Sequence, residues 1–282
     1  MPQSERTKRS KPKVIDAHLH INFSRPYSKR LAKKVGLRYT PAGLLDDMDA
    51  NNIVRALIMS SPVQPEDAKK FAKRNPDRFW VAGSADPKNL TDKTLAALEA
   101  DMARGDIRAI KLYTGYQHYY PDDEDCVPIY RLAMKYDAPV IFHTGDCVST
   151  MARLRFSHPL NIDDLAFRFP DLKIVMAHMG NPWLWDAAEV IYKNENVHAD
   201  LSGLITGLPE EYKEEYRDWV LKQLEGVIYY CGADNLMFGT DYCLASHADS
   251  LSFFSKLRIR KSDMQKILYK NALELFGKDE KV

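Results

Sequence analysis

A single closed (β/α)8 barrel, the TIM-barrel form of the α/β class, is the fold this sequence predicts, and three observations predict it. Eight short β-branched, apolar runs recur along the chain, at 13–18, 54–59, 79–84, 107–113, 139–143, 173–178, 196–201 and 236–240. A longer amphipathic stretch follows each run, at 41–51, 65–74, 91–103, 124–136, 161–168, 184–194, 209–225 and 262–276. Such alternation is the signature of parallel strands joined by helical crossovers. The third observation is negative. An open doubly wound sheet carries a glycine-rich phosphate loop after its first strand, and none follows residue 18.

Taken in order, the elements have local reasons. The first run ends Val-Ile-Asp-Ala-His-Leu-His (14–20). A strand has a side-chain period of two, so His18 and His20 share a face, where two imidazoles can hold one divalent ion. Asp16 falls on the same face lower down, which suits a supporting role better than ligation. Thr40-Pro41 supplies an N-cap hydroxyl and an N1 proline to the first long helix. Ala85-Asp86-Pro87 stops the third strand with a turn. Lys111 lies in Ile-Arg-Ala-Ile-Lys-Leu-Tyr (107–113) and His143 in Pro-Val-Ile-Phe-His-Thr-Gly (139–145). His178 closes Leu-Lys-Ile-Val-Met-Ala-His (172–178), and Asp241 follows Leu-Met-Phe-Gly-Thr (236–240). Gly277 stands as a C′ glycine after the final helix.

Neither an internal repeat nor a linker divides the chain, so residues 13–282 form one domain. Residues 1–12 are expected to be a disordered basic tail, since over the first thirteen residues Arg6, Lys8, Arg9, Lys11 and Lys13 face only Glu5. No apolar stretch long enough for a signal peptide or spanning helix follows it, which points to a cytoplasmic protein without a membrane partner. Lys plus Arg is 40 and Asp plus Glu 39, so no overall field steers the protein to nucleic acid. The four cysteines (126, 147, 231, 243) have no C-x-x-C spacing and are read as reduced thiols. Cys147 and Cys243 lie within four residues of His143 and Asp241, with small packing residues the preferred reading.

Lys111, His143, His178 and Asp241 each end a strongly apolar run. That is an expensive place for a polar group unless it is paired or coordinated. It is also the end of a parallel barrel where chemistry resides. Imidazole and carboxylate together suit zinc, manganese or iron(II). A protein set of three or four ligands with a position left for water marks a catalytic ion.

The ordered motifs Ile-Asp-Ala-His-Leu-His (15–20), Ile-Lys-Leu-Tyr (110–113), Pro-Val-Ile-Phe-His-Thr-Gly (139–145), Ala-His-Met-Gly (177–180), Phe-Gly-Thr-Asp-Tyr (238–242) and Lys-Asn-Ala-Leu-Glu-Leu-Phe-Gly (270–277) resemble the amidohydrolase superfamily. The branch is amidohydrolase 2, which includes aminocarboxymuconate semialdehyde decarboxylase. The resemblance runs from about residue 13 to 277. It implies one divalent metal ion, zinc before manganese or iron, on His18, His20, His143 and Asp241. His178 would then stand beside the ion, with Asp241 accepting a proton from metal-activated water and His178 donating to the developing oxyanion. Lys111 has two readings. Its ammonium faces an anionic substrate group, or, if carboxylated, it bridges a second ion; the single-ion reading is preferred. A proline commonly follows the strand-eight Asp-Tyr in this family, and Cys243 replaces it here.

The resulting expectation is a metal-dependent hydrolase of a C–O or C–N bond in a small molecule. Decarboxylation of an aromatic or muconate-like acid is the alternative, and a TatD-like nuclease a remote one. Substrate contacts are expected from Lys111, Tyr113 and Trp183. The aromatic loop of Tyr113, Tyr116, His118, Tyr119 and Tyr120 suggests a ring-bearing or carboxylate substrate. Arg153 and Arg155 are candidates by position for a leaving carboxylate, Trp185 for packing, and His247 for the surface rather than the pocket. A homodimer is compatible with the sequence.

Overall fold

Alternation of strand and helix produces the expected barrel. The computed structural model describes residues 12–61, 65–206 and 213–277. Its strands are β1 (Val14–Leu19), β2 (Ile53–Met59), β3 (Phe79–Ser84), β4 (Ala109–Leu112), β5 (Val140–His143), β6 (Ile174–Ala177), β7 (Val197–Asp200) and β8 (Leu236–Met237). All pair in parallel in sequential order. The ring closes between β8 and β1: Ala17 N–H donates to Phe238 O (2.8 Å), Asp241 N–H to His18 O (2.9 Å) and His20 N–H to Tyr242 O (2.8 Å).

Two apolar layers follow from strand alternation. One lies between strands and helices and includes Ile110, Phe142, Met176 and Phe238. The other fills the barrel with Ile15, Ala17, Ala82, Ala109, Ile141, Val175 and Met237, and is closed from below by Leu273, Leu275 and Phe276. In β1 the alternation shifts. Ile15 and Ala17 belong to the inner layer but Leu19 to the outer, and the register is irregular between Asp16 and Leu19. A bulge of this kind re-aims the side chains beyond it. It turns His18 and His20 inward together and leaves Asp16 on the opposite face, correcting the shared face expected for it.

Helix signals read from sequence hold in part. Thr40 caps Pro41–Ala50 by accepting the Gly43 N–H at 3.0 Å, and Asp86 accepts the Lys88 N–H at the turn after β3. Helices Pro26–Lys34 and His247–Phe254 were not anticipated. The stretch expected at 209–225 is a helix over Lys213–Cys231, residues 209–212 lying outside the described ones. The tail at 1–11 lies outside them too. The final helix is divided into Lys261–Gln265, a π turn Lys266–Lys270, and Asn271–Phe276. At the π turn the Ile267 carbonyl accepts the Phe238 N–H (2.8 Å), so the helix completes the bonding of the short β8. Gly277 has φ −88°, not the left-handed value expected. It is fitted there by closeness, since a Cβ would come within 2.4 Å of Leu273 O. Among the described residues no helix is long and apolar enough to cross a membrane.

Candidate metal centre and its cavity

The carboxyl ends of the strands bring His20, His143, His178 and Asp241 to one cavity of about 640 Å³, while His18 and Lys111 are fully buried and are not among its lining residues. His18 and His20 project from β1 with ring centroids 5.3 Å apart. Asp241, just past β8, faces both: its Oδ1 lies 3.5 Å from His20 Nε2 and 4.0 Å from His18 Nε2. These three offer ligand atoms within 4.8 Å of one another. Donors around a tetrahedral zinc with bonds near 2.0–2.1 Å are roughly 3.4 Å apart, so the spacing is close to that of a ligand set. Fit is tested by His18 itself. Its Nδ1 donates to Asp200 Oδ2 (2.8 Å), which leaves Nε2 a bare acceptor, fully buried and without a hydrogen-bond partner. A cation at that point answers it.

His178 and His143 border the same space, with ring centroids 5.0 Å apart. His143 is not within the close group. Its Nε2 bonds the Asp146 carbonyl at 2.9 Å, so only Nδ1 is left for an ion. His178 is oriented by a chain of hydrogen bonds. Ser202 Oγ donates to Asp200 Oδ1, a carboxylate able only to accept. The hydroxyl oxygen therefore accepts from His178 Nδ1 (2.8 Å), and Nε2 carries the lone pair. A neutral His178 is thus an acceptor on its cavity side, not the oxyanion donor expected from the sequence.

A sequence profile described as amidohydrolase (Amidohydro_2) matches residues 15–278, which takes in every residue of this cluster. The chain belongs to this amidohydrolase family. Among solved structures, a Burkholderia multivorans amidohydrolase with bound zinc superposes with a TM-score of 0.73 at 17% identity, over 94% of this chain and 99% of that one. A 2-pyrone-4,6-dicarboxylic acid hydrolase, so described provisionally, from Pseudomonas putida gives 0.69 at 20%, over 95% and 99%. The 5-carboxyvanillate decarboxylase from Sphingomonas paucimobilis gives 0.68 at 16%, over 94% and 99%. At these identities the likeness is one of fold. A search of the curated proteins finds no match to the sequence.

In this amidohydrolase the electrostatics follow from burial. His20 is pushed down to about 4 and His143 to about 3, and His18 and His178 lie well below the ordinary imidazole value, burial being the largest cause in each. All four are therefore neutral near pH 7, the form that ligates metals and accepts protons. Burial also raises Asp241 to about 7, against the opposing charge of Lys111. Lys111 is wholly buried and pushed down to about 8 by burial. Its Nζ has no hydrogen-bond partner among the described residues and lies 5.4 Å from the Tyr113 ring centroid.

Two turns at the site are strained. His178 has φ +62° and Asp241 φ +55°, left-handed values that cost about 1–3 kcal/mol each for such residues. The His178 N–H is held by Asp200 Oδ1 (3.1 Å) and the Asp241 N–H by the His18 carbonyl. Gly203, φ +69°, leaves room for the ring, because a Cβ there would stand 2.8 Å from His178 Nδ1.

Of the loop residues, Tyr113 and Tyr116 line the cavity, with Tyr113 Oη bonded to Ser60 O (3.0 Å). His118 bonds Met151 O, and neither Tyr119 nor Tyr120 lines the cavity. Trp183, expected on the wall, packs its ring against His158 (4.7 Å) and is not among the lining residues. Trp185 is half exposed on a helix surface. Cys243 lines the cavity and Cys147 does not; all four cysteines are free thiols. Arg153 and Arg155 are exposed and away from the cavity, whereas Arg25, from the loop after β1, lines its mouth. His247 corrects the expectation most sharply, being fully buried between two carboxylates.

Sequence reasoning missed Asp200 and Ser202. A usable signal was present. Asp200 ends a β-like run, as Asp241 follows one, within His-Ala-Asp-Leu-Ser-Gly (198–203).

Proposed function

We propose that this amidohydrolase hydrolyses a C–O or C–N bond of a small, ring-bearing organic acid, using one divalent ion held by His18, His20 and Asp241, with His143 at its edge. The observation that carries the reading is an unsatisfied buried His18 Nε2 beside a His178 ring whose Nε2 is bare, the ring centroids 4.7 Å apart. When bound, such an ion acts as a Lewis acid and brings the pKa of its water to about 7.

The chain's own residues supply the rest. Asp200 fixes the tautomer of His18 and, through Ser202, that of His178, which takes up the proton of the attacking water at Nε2. Asp241 stands 3.5 Å from His20 and accepts a hydrogen bond from the same nucleophile. Tyr113, Tyr116 and Tyr242 wall the space in which a planar body would lie, and Arg25 at the mouth meets an anionic group. A base poised as an acceptor favours hydrolysis over decarboxylation, whose carbanion needs a donor at that place. Zinc is the preferred ion for two imidazoles and a carboxylate.

Metal analysis and a screen of lactones, esters, amides and aromatic acids, with CO2 measured alongside, test the reading. The expected result is about one ion per chain and hydrolysis without CO2. His18→Ala loses both metal and activity. His178→Ala keeps its metal and loses about 10²–10⁴-fold in kcat. A chain that binds no metal overturns the enzyme reading, and CO2 release without hydrolysis moves it to decarboxylation. Loss of metal in His178→Ala as complete as in His18→Ala points instead to two ions and a carboxylated Lys111.

A further inference from the structure

Beneath the site, on the outer face of the barrel wall, lies a cluster that the proposed chemistry does not use. His247 is fully buried. Its Nδ1 is 2.6 Å from Asp47 Oδ2, on helix Pro41–Ala50, and its Nε2 is 3.0 Å from Asp16 Oδ2, on β1. A neutral imidazole has one N–H and cannot donate to both carboxylates. The Tyr242 ring stacks on it, centroids 5.5 Å apart. Asp16 is itself fully buried, and its remaining bonds reach both ligand-bearing segments. Its Oδ1 accepts the His18 N–H (3.0 Å) and the Thr240 N–H (3.1 Å), and its Oδ2 the Thr240 hydroxyl. Thr240 Oγ1 in turn accepts the Tyr242 N–H (3.1 Å).

We propose that His247 is a positioning residue: a buried imidazolium that clamps Asp16 and thereby fixes the spacing between the His18 and Asp241 segments. The inference rests on the metal reading of that site. A carboxylate accepting four hydrogen bonds in a dry interior needs a nearby positive charge, and His247 is the one that touches it. Burial acts to lower the His247 pKa, but bonds to Asp16 and Asp47 carry it up to about 9, consistent with a charged ring at neutral pH. The clamp spans the bulge of β1, where strand pairing alone does not set the position of His18. It touches no ligand side chain, so its effect on the ion passes through the backbone.

The test is His247→Gln, read by competition of the purified protein with a zinc chelator and by thermal melting. Phe276→Leu, at the opposite end of the barrel, gives the cost in zinc affinity of a general loss of stability. The expected result is at least a tenfold weaker zinc affinity in His247→Gln, the range typical of residues that orient ligands, at a melting temperature no lower than that of Phe276→Leu. Zinc affinity equal to wild type overturns the proposal, as does a loss matched by Phe276→Leu at equal melting temperature. Where His247→Gln does not fold, ¹⁵N NMR of the metal-free wild-type protein decides. Two protonated ring nitrogens on His247 at pH 7.5 support the clamp, and a single one overturns it. Because that measurement needs no metal, it stands apart from the proposed function, which fails separately if wild-type protein binds no zinc.

Discussion

His178 and His247 are both buried histidines near the top of the same barrel, and their surroundings set opposite charges. Around His178 lie His18, His143 and Lys111, with one carboxylate, Asp200, reached through a hydroxyl. Burial wins there and the ring is neutral. Around His247 stand two carboxylates in direct contact, and they outweigh the same burial. The partners of a ring, rather than its depth, decide whether it serves as a base and ligand or as a fixed charge.

The largest break in this contrast comes from Asp200, which serves the neutral side twice. Asp200→Asn turns an amide N–H toward His18 Nδ1 and drives the ring to the tautomer that cannot ligate through Nε2. Zinc affinity should fall about 10–100-fold and kcat with it, measured by chelator competition and turnover at saturating metal. Unchanged affinity would mean that the His18–Asp200 bond does not set the tautomer.

The charged side is sharpened by pH. The His247 value rises from an unfolded 6.5 to about 9 on folding. Its stabilisation is therefore complete below pH 6.5, fades as pH rises through that interval and is gone above about 9. Lys111 and Asp241 also titrate near this window, at about 8 and 7, so the informative quantity is a difference. The unfolding free energy of metal-free wild type minus that of His247→Gln should decline by roughly 3 kcal/mol between pH 6.5 and 9.5. Urea titrations at four or five pH values measure it, and a flat difference removes the charge from His247.

Smallest is the effect of Ser202→Ala. His178 Nδ1 loses its acceptor while the ion keeps its ligands, so kcat should fall about tenfold or less, with KM and metal content unchanged. A loss as large as that of His178→Ala would make Ser202 part of the proton transfer itself.

Much of this architecture was legible in the sequence, because strand periodicity and helix signals are local. The eight runs and the order His18, His20, Lys111, His143, His178, Asp241 stand on the expected strand ends. What was not legible depends on contacts distant along the chain. His247 meets Asp16 across 231 residues, and Asp16 reads as facing the site only if β1 alternates without interruption. The hydrogen bond from Ser202 to Asp200 is local, but its meaning for His178 lies 24 residues away. Helix His247–Phe254 begins at Ser246, whose side chain accepts the Asp249 N–H, a cap visible in the sequence but left unread.

The irregularity in β1 has a consequence for anyone who would transplant this site. Below it, the strand spends its inward positions on Ile15 and Ala17; above it, the same alternation delivers His18 and His20. A graft of the His-Leu-His motif onto an unbroken strand would match the letters and miss the phase. With Ile15 and Ala17 still facing inward, both imidazoles would point into the helical layer, and Leu19 would occupy the catalytic floor. The transferable unit is therefore the whole segment from Ile15 to His20 together with the kink it contains.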